Sequence, residues 1–146
     1  MSESVTQNNQ NNCESGAVLI STHLSASSQV KSPLQLGVMA SGSGTNFAAV
    51  AKAIAQGKLN AEIKVLIYNN PRTKVKERAE EYHIPSVLLD HRAYQSRKDL
   101  DQKIVAVFKT YGVDWVIMAG WMNNTTQVLL DGYPNNVINI HPSLLP

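Results

Sequence analysis

The chain has 146 residues, 43% of them hydrophobic and 16% charged, with a formal net charge of +2, which fits one ordinary α/β domain. It shows no dense Lys/Arg face to serve as an electrostatic footprint for nucleic acid, and no apolar run approaches the roughly 20 residues that span a bilayer. Its single cysteine, Cys13, makes no disulfide framework, so a reducing compartment, the cytoplasm, is expected.

Residues 1–33 differ in kind from the rest. A run of Asn and Gln from Gln7 to Asn12, many serines and few large apolar residues predict a disordered extension without a targeting signal. The folded part is expected over residues 34–146. Leu34–Met39 reads as a first strand, followed at once by the Gly/Ser-rich Ala40–Asn46. Phe47–Gln56 is alanine-rich, apolar at helical spacing and closed by Gly57. Ala61–Tyr68 is a second strand, ended by the turn residues Asn69-Asn-Pro71, and a charged helix runs from about Thr73 to Tyr82. Pro85–Leu89 is a short third strand, and Asp99–Tyr111 is an amphipathic helix stopped by Gly112. Val113–Ala119 reads as a buried fourth strand in which Trp115 is a core residue. A short helix around Thr125–Leu130 leads to a last strand beginning at Val137. Five strands alternating with four helices through short loops predict a doubly wound, mainly parallel sheet, a Rossmann-like α/β fold.

Two loops of this order carry chemistry. Ser41-Gly-Ser-Gly-Thr-Asn46 lies between the first strand and the first helix, where glycine lets the backbone approach an anion and the free N–H groups of the helix attract it. The spacing is neither Gly-x-Gly-x-x-Gly nor a P-loop, which leaves a phosphate monoester, or simply a tight turn with Thr45 or Asn46 as a cap. The last strand, Val137-Ile-Asn-Ile-His141, is expected to be covered on both faces and to stop before Pro142. Asn139 and His141 are two apart and project from one face at the carboxyl end, where ligands bind in such sheets. A carboxamide beside an imidazole can hold an oxyanion and exchange a proton near neutral pH, although an Asn-x-His alone also describes two side chains satisfying loop backbone.

Asn139-Ile-His-Pro-Ser-Leu-Leu-Pro146 resembles the signature of the formyltransferases that use 10-formyltetrahydrofolate. Within that family, Ser41–Asn46 resembles the phosphoribosyl-binding loop of the phosphoribosylglycinamide formyltransferases, and the likeness runs over Leu34 to Pro146. It implies transfer of a formyl group from 10-formyltetrahydrofolate to the amino group of 5′-phosphoribosylglycinamide, a step of purine biosynthesis, with small-molecule substrates and no metal. On the same resemblance Gly44, Thr45 and Asn46 hold the 5′-phosphate. Asn139 holds the oxygen of the tetrahedral intermediate, and His141 supports that charge and moves a proton. Asn139 also belongs to the folate pocket, as do Arg97 and the Met122–Thr125 segment, through Met122, Asn123, Asn124 and Thr125.

The chain departs from the family pattern at Asn123, usually arginine, and at Asn124, usually aliphatic. Arg97 also reads as a solvated charge at a helix start. The family's further aspartate lies downstream of Pro146, so the chain reads as an amino-terminal part truncated after strand five. Three readings stay open: such a part of the enzyme, inactive alone; a non-catalytic phosphoribosyl-binding domain; or another formyltransferase or deformylase of the family. The oligomeric state is left open.

Overall fold

Strand β1 (Leu34–Ala40) is the middle of a parallel sheet whose order is β3-β2-β1-β4-β5. The computed structural model describes residues 32–140. The expectation of a disordered extension therefore lies, up to Lys31, outside the described residues. From β1 the chain runs through α1 (Thr45–Ala55), β2 (Ala61–Tyr68), α2 (Val75–Glu81) and β3 (Ser86–Leu88) toward one edge. A one-turn 3-10 helix (His91–Ala93) and α3 (Arg97–Thr110) return it to β4 (Trp115–Ala119) on the other side of β1, and α4 (Gln127–Gly132) leads to β5 (Val137–Ile140). Strand order thus reverses between β1 and β4. The doubly wound α/β sheet expected from the alternation of elements is the one found.

Each face of the sheet has its own core. Leu36, Val38 and Ala40 of β1 pack with Phe47 and Ala51 of α1 and with Val75 and Ala79 of α2. Met39 faces the other way, toward Leu100, Ile104 and Phe108 of α3 and Leu129 of α4. Fully burying such a side chain contributes about 1.5–3 kcal/mol before the entropy of ordering it is set against it. Strand β2 serves both faces through an irregularity. Leu36 aligns with Ile63 but Gly37 with Val65, so Lys64 is the extra residue of a bulge. The shift lets Ala61 and Ile63 share a core with Leu66 and Tyr68 instead of falling out of phase.

At Gly37 a side chain of α3 lies directly against the sheet. A Cβ there would lie 2.5 Å from Phe108 Cε1, so the ring occupies the space that a side chain at residue 37 would need. The same ring meets Tyr133 edge-on at 6.2 Å and 83°. Lys109 lies 4.1 Å over the Tyr133 ring and donates to the Gly132 carbonyl at 3.0 Å, joining the end of α3 to the end of α4.

Strand β5 differs from expectation. Val137, Ile138 and Ile140 are only half-buried and Asn139 is exposed. The physical reason is position: β5 is an edge strand that pairs with β4 alone among the described residues. Trp115 packs against the α1 side of the core, as expected of it, although only partly buried.

Candidate active site

The carboxyl ends of β1 and β4 are where the chain turns to opposite faces of the sheet, which opens a crevice between the loops that follow them. In the β1–α1 loop Gly44 is the cap residue, at φ +85°, and its carbonyl accepts from Ala48 N–H at 2.8 Å. No side chain caps α1, so the alternative of Thr45 or Asn46 as a cap is set aside. They are its first two helical residues, Thr45 exposed and Asn46 half-buried. The first-turn N–H groups have no intrahelical acceptors and the first turn holds no acidic residue, which leaves positive partial charge facing the loop.

Residue 44 must be glycine on two counts. Its φ lies in the left-handed region, and a Cβ would come within 2.5 Å of Val75 Cγ2 on α2. Arg78, one turn along α2, donates from Nε to the Ser43 carbonyl at 2.8 Å. The described peptide bonds are all trans, so a Ser43 carbonyl turned to Arg78 directs the Gly44 N–H the opposite way.

The β4–α4 loop is fixed at both ends. Gly120 turns it at φ +76°, and Met122 N–H donates to Ser41 Oγ at 2.7 Å. At the far end Thr126 donates its N–H (2.6 Å) and its hydroxyl (2.8 Å) to Asp101 Oδ2, and its Oγ1 caps α4 by accepting from Val128 N–H at 3.2 Å. Between these anchors Trp121 is buried, Met122 is 79% exposed, Asn123 and Thr125 are half-buried and Asn124 is exposed.

A cleft of about 370 Å³ lies across the carboxyl ends of the strands. Ser41 borders it after β1, Asn69 to Arg72 after β2, His91 and Arg92 after β3, and Met122 and Asn123 after β4. Its rim is cationic, although Arg92 is partly committed: Nε and Nη2 bind the Asp90 carboxylate at 3.0 and 2.7 Å. That hydrogen bonding holds the Asp90 carboxyl down at about 2. Asn123 Nδ2 and Trp121 Nε1 are buried donors without an acceptor among the described residues.

Of the residues singled out in the sequence, Met122 and Asn123 line this cleft, while Gly44, Thr45, Asn46, Arg97, Asn124, Thr125 and Asn139 are not among those that do. Arg97 is the exposed first residue of α3, behind the Ser96 cap that accepts from Asp99 N–H at 3.1 Å. Asn139 aligns with Met118 of β4. His141 lies outside the described residues. Sequence reasoning missed Arg78 and Asp101, whose roles depend on tertiary contacts. It also passed over Arg72 and read Asn69-Asn-Pro71 only as a turn; their place at a strand's carboxyl end was a usable signal.

The sequence model of the family described as formyl transferase matches residues 34–146. The chain belongs to the formyl transferase family. Among formyl transferase relatives, the phosphoribosylglycinamide formyltransferase of Bacillus subtilis is 36% identical over 112 residues, which cover 77% of this chain and 57% of that protein. The structure of glycinamide ribonucleotide transformylase 1 from Symbiobacterium toebii matches with TM-score 0.74 at 35% identity, covering 78% of this chain and 54% of that one. The corresponding protein from Geobacillus kaustophilus matches with TM-score 0.73 at 38% identity, covering 78% and 61%. This formyl transferase chain therefore spans little more than half the length of these three relatives.

Proposed function

We propose that the chain is the amino-terminal part of a phosphoribosylglycinamide formyltransferase, which transfers a formyl group from 10-formyltetrahydrofolate to the amino group of 5′-phosphoribosylglycinamide in purine biosynthesis. The observation that carries this reading is the uncapped amino end of α1 behind Gly44, set beside the β4–α4 loop at the switch point. The names of the relatives support this choice of substrate.

The residues present fit both ligands. Gly44, Thr45 and Asn46 offer backbone N–H groups and positive partial charge to a 5′-phosphate. The Met122–Thr125 segment offers backbone groups and the unpaired Asn123 Nδ2 to a ring rich in donors and acceptors. Arg97, exposed at the start of α3 and not among the residues lining the cleft, is assigned to the folate on the family resemblance alone. The folate donor supplies an activated formyl carbon. In the transfer a bond forms from the glycinamide nitrogen to that carbon, the bond to the folate nitrogen breaks, and one proton passes from the first nitrogen to the second. Asn139 donates to the oxyanion formed on the way, and His141 carries the proton. The substrates are small molecules, and cytoplasmic placement accords with such chemistry.

The test is a formyl-transfer assay on this chain and on a version extended with a relative's carboxyl-terminal half. In the extended protein, turnover should fall by about 10²–10⁴-fold in His141→Ala and similarly in Asn139→Ala, with nucleotide affinity nearly unchanged. Turnover that persists without His141 would overturn the assignment.

A further inference from the structure

The two loops that border the crevice are joined through one side chain. Ser41 and Gly120 each stand one residue beyond neighbouring parallel strands, in step with the alignment of Met39 with Met118. The Ser41 N–H donates to the Gly120 carbonyl at 3.3 Å, and the Ser41 hydroxyl accepts the Met122 N–H at 2.7 Å. Ser41 is only 7% exposed, so little water competes for these bonds. Beyond this point the chain diverges: residues 42–44 turn to α1 on one face of the sheet, and residues 123–126 turn to α4 on the other. A hydroxyl has two lone pairs and one proton, so Ser41 holds Met122 and keeps its own proton for another acceptor.

We propose that Ser41 is a positioning residue that couples the two loops, so that an anion held at the amino end of α1 tightens folate binding on the β4–α4 loop. This rests on the functional reading above. An anion drawing on the N–H groups at Gly44 and the start of α1 fixes the four-residue turn that begins at Ser41, and with it the hydroxyl that sets the Met122 peptide. Linkage makes the effect reciprocal: folate tightens the anion by the same factor.

The experiment titrates tetrahydrofolate into the chain extended with a relative's carboxyl-terminal half, with and without saturating inorganic phosphate, and phosphate with and without tetrahydrofolate, for the native form of that extended chain, Ser41→Ala and Ser41→Thr. Phosphate should lower the native folate Kd by about fivefold or more, with an equal reciprocal factor. Ser41→Ala should bring the factor close to one, and Ser41→Thr, which keeps the hydroxyl, should restore it. A factor that survives in Ser41→Ala, or binding of both ligands to the native chain without coupling, overturns the role of Ser41 and leaves the functional reading standing. Failure of either ligand to bind the native chain overturns both. Should Ser41→Ala not fold, the native protein alone decides. The Met122 amide must shift on phosphate titration in step with Gly44, and a Met122 signal that stays still refutes the coupling.

Discussion

Asp101 of α3 and Thr126 at the start of α4 are 25 residues apart and share two hydrogen bonds to a single carboxylate oxygen, at 2.6 and 2.8 Å. Asp101 is 1% exposed, so the bonds from Thr126 compensate its loss of water. Removing the carboxylate leaves the Thr126 N–H short of its acceptor. Asp101→Ala should therefore cost about 1–3 kcal/mol by urea unfolding. Thr126→Val keeps the N–H bond but loses the hydroxyl bond and the cap, and should cost about 1 kcal/mol. If Thr126→Val costs as much as Asp101→Ala, the carboxylate's bond to the backbone contributes little.

Gly44 and Gly57 separate backbone strain from steric overlap. Both lie at positive φ, +85° and +77°, but a Cβ on Gly57 meets nothing within 4 Å while one on Gly44 meets Val75 at 2.5 Å. Gly57→Ala should cost roughly 1–2 kcal/mol, the left-handed penalty alone. Gly44→Ala should cost more, because Val75 is a buried core residue with little room to retreat. Thermal midpoints of the two variants give the comparison. Equal losses would mean that Val75 yields freely.

Arg78 holds the Ser43–Gly44 peptide by a bond on the protein surface, so its removal should scarcely affect folding while altering the loop. Arg78→Met should lower stability by no more than about 0.5–1.5 kcal/mol. Phosphate affinity at the β1–α1 loop should fall about tenfold, since the Gly44 N–H is no longer held in one direction. Isothermal titration with phosphate checks this, and unchanged affinity would show that Gly44 and α1 hold the loop unaided.

Tyr133 sets an alkaline limit. Its hydroxyl is buried without a partner among the described residues, and burial, with the Asp114 charge second, pushes its pKa up to about 12. An unfolded tyrosine ionises near pH 10, so the contribution of the neutral phenol is whole below that and is lost as pH rises from about 10 through about 12. Tyr133→Phe should be as stable as the native chain, or more so, at neutral pH. It should also lose less stability between about pH 9 and 11, which urea midpoints would show. Parallel losses in the two proteins would exclude Tyr133 as the cause.

Patterns confined to one element were legible, and contacts between elements were not. The Ala61–Tyr68 run showed β2 at its observed limits, but nothing in Glu62-Ile-Lys64 announced the bulge, which arises from pairing with β1. The first helix was read from Phe47 because Thr45 and Asn46 are common cap residues; the cap is Gly44, a glycine that the close approach of α2 requires. Among the described residues β5 lies at the edge of the sheet, a matter of strand order that the apolar character of Val137, Ile138 and Ile140 does not encode. His91–Ala93 forms a turn too short to carry periodicity, yet His91 and Arg92 line the cleft.

The insertion of Phe108 over Gly37 constrains how this protein can change over time. An alanine at position 37 collides with the ring, and a smaller residue at 108 alone leaves a void and removes the edge contact with Tyr133. Neither single replacement is a neutral starting point, whereas the two together exchange one filling of the same space for another. Lineages should therefore keep the glycine and the aromatic residue as a pair or replace both, and the intermediate genotypes should be rare.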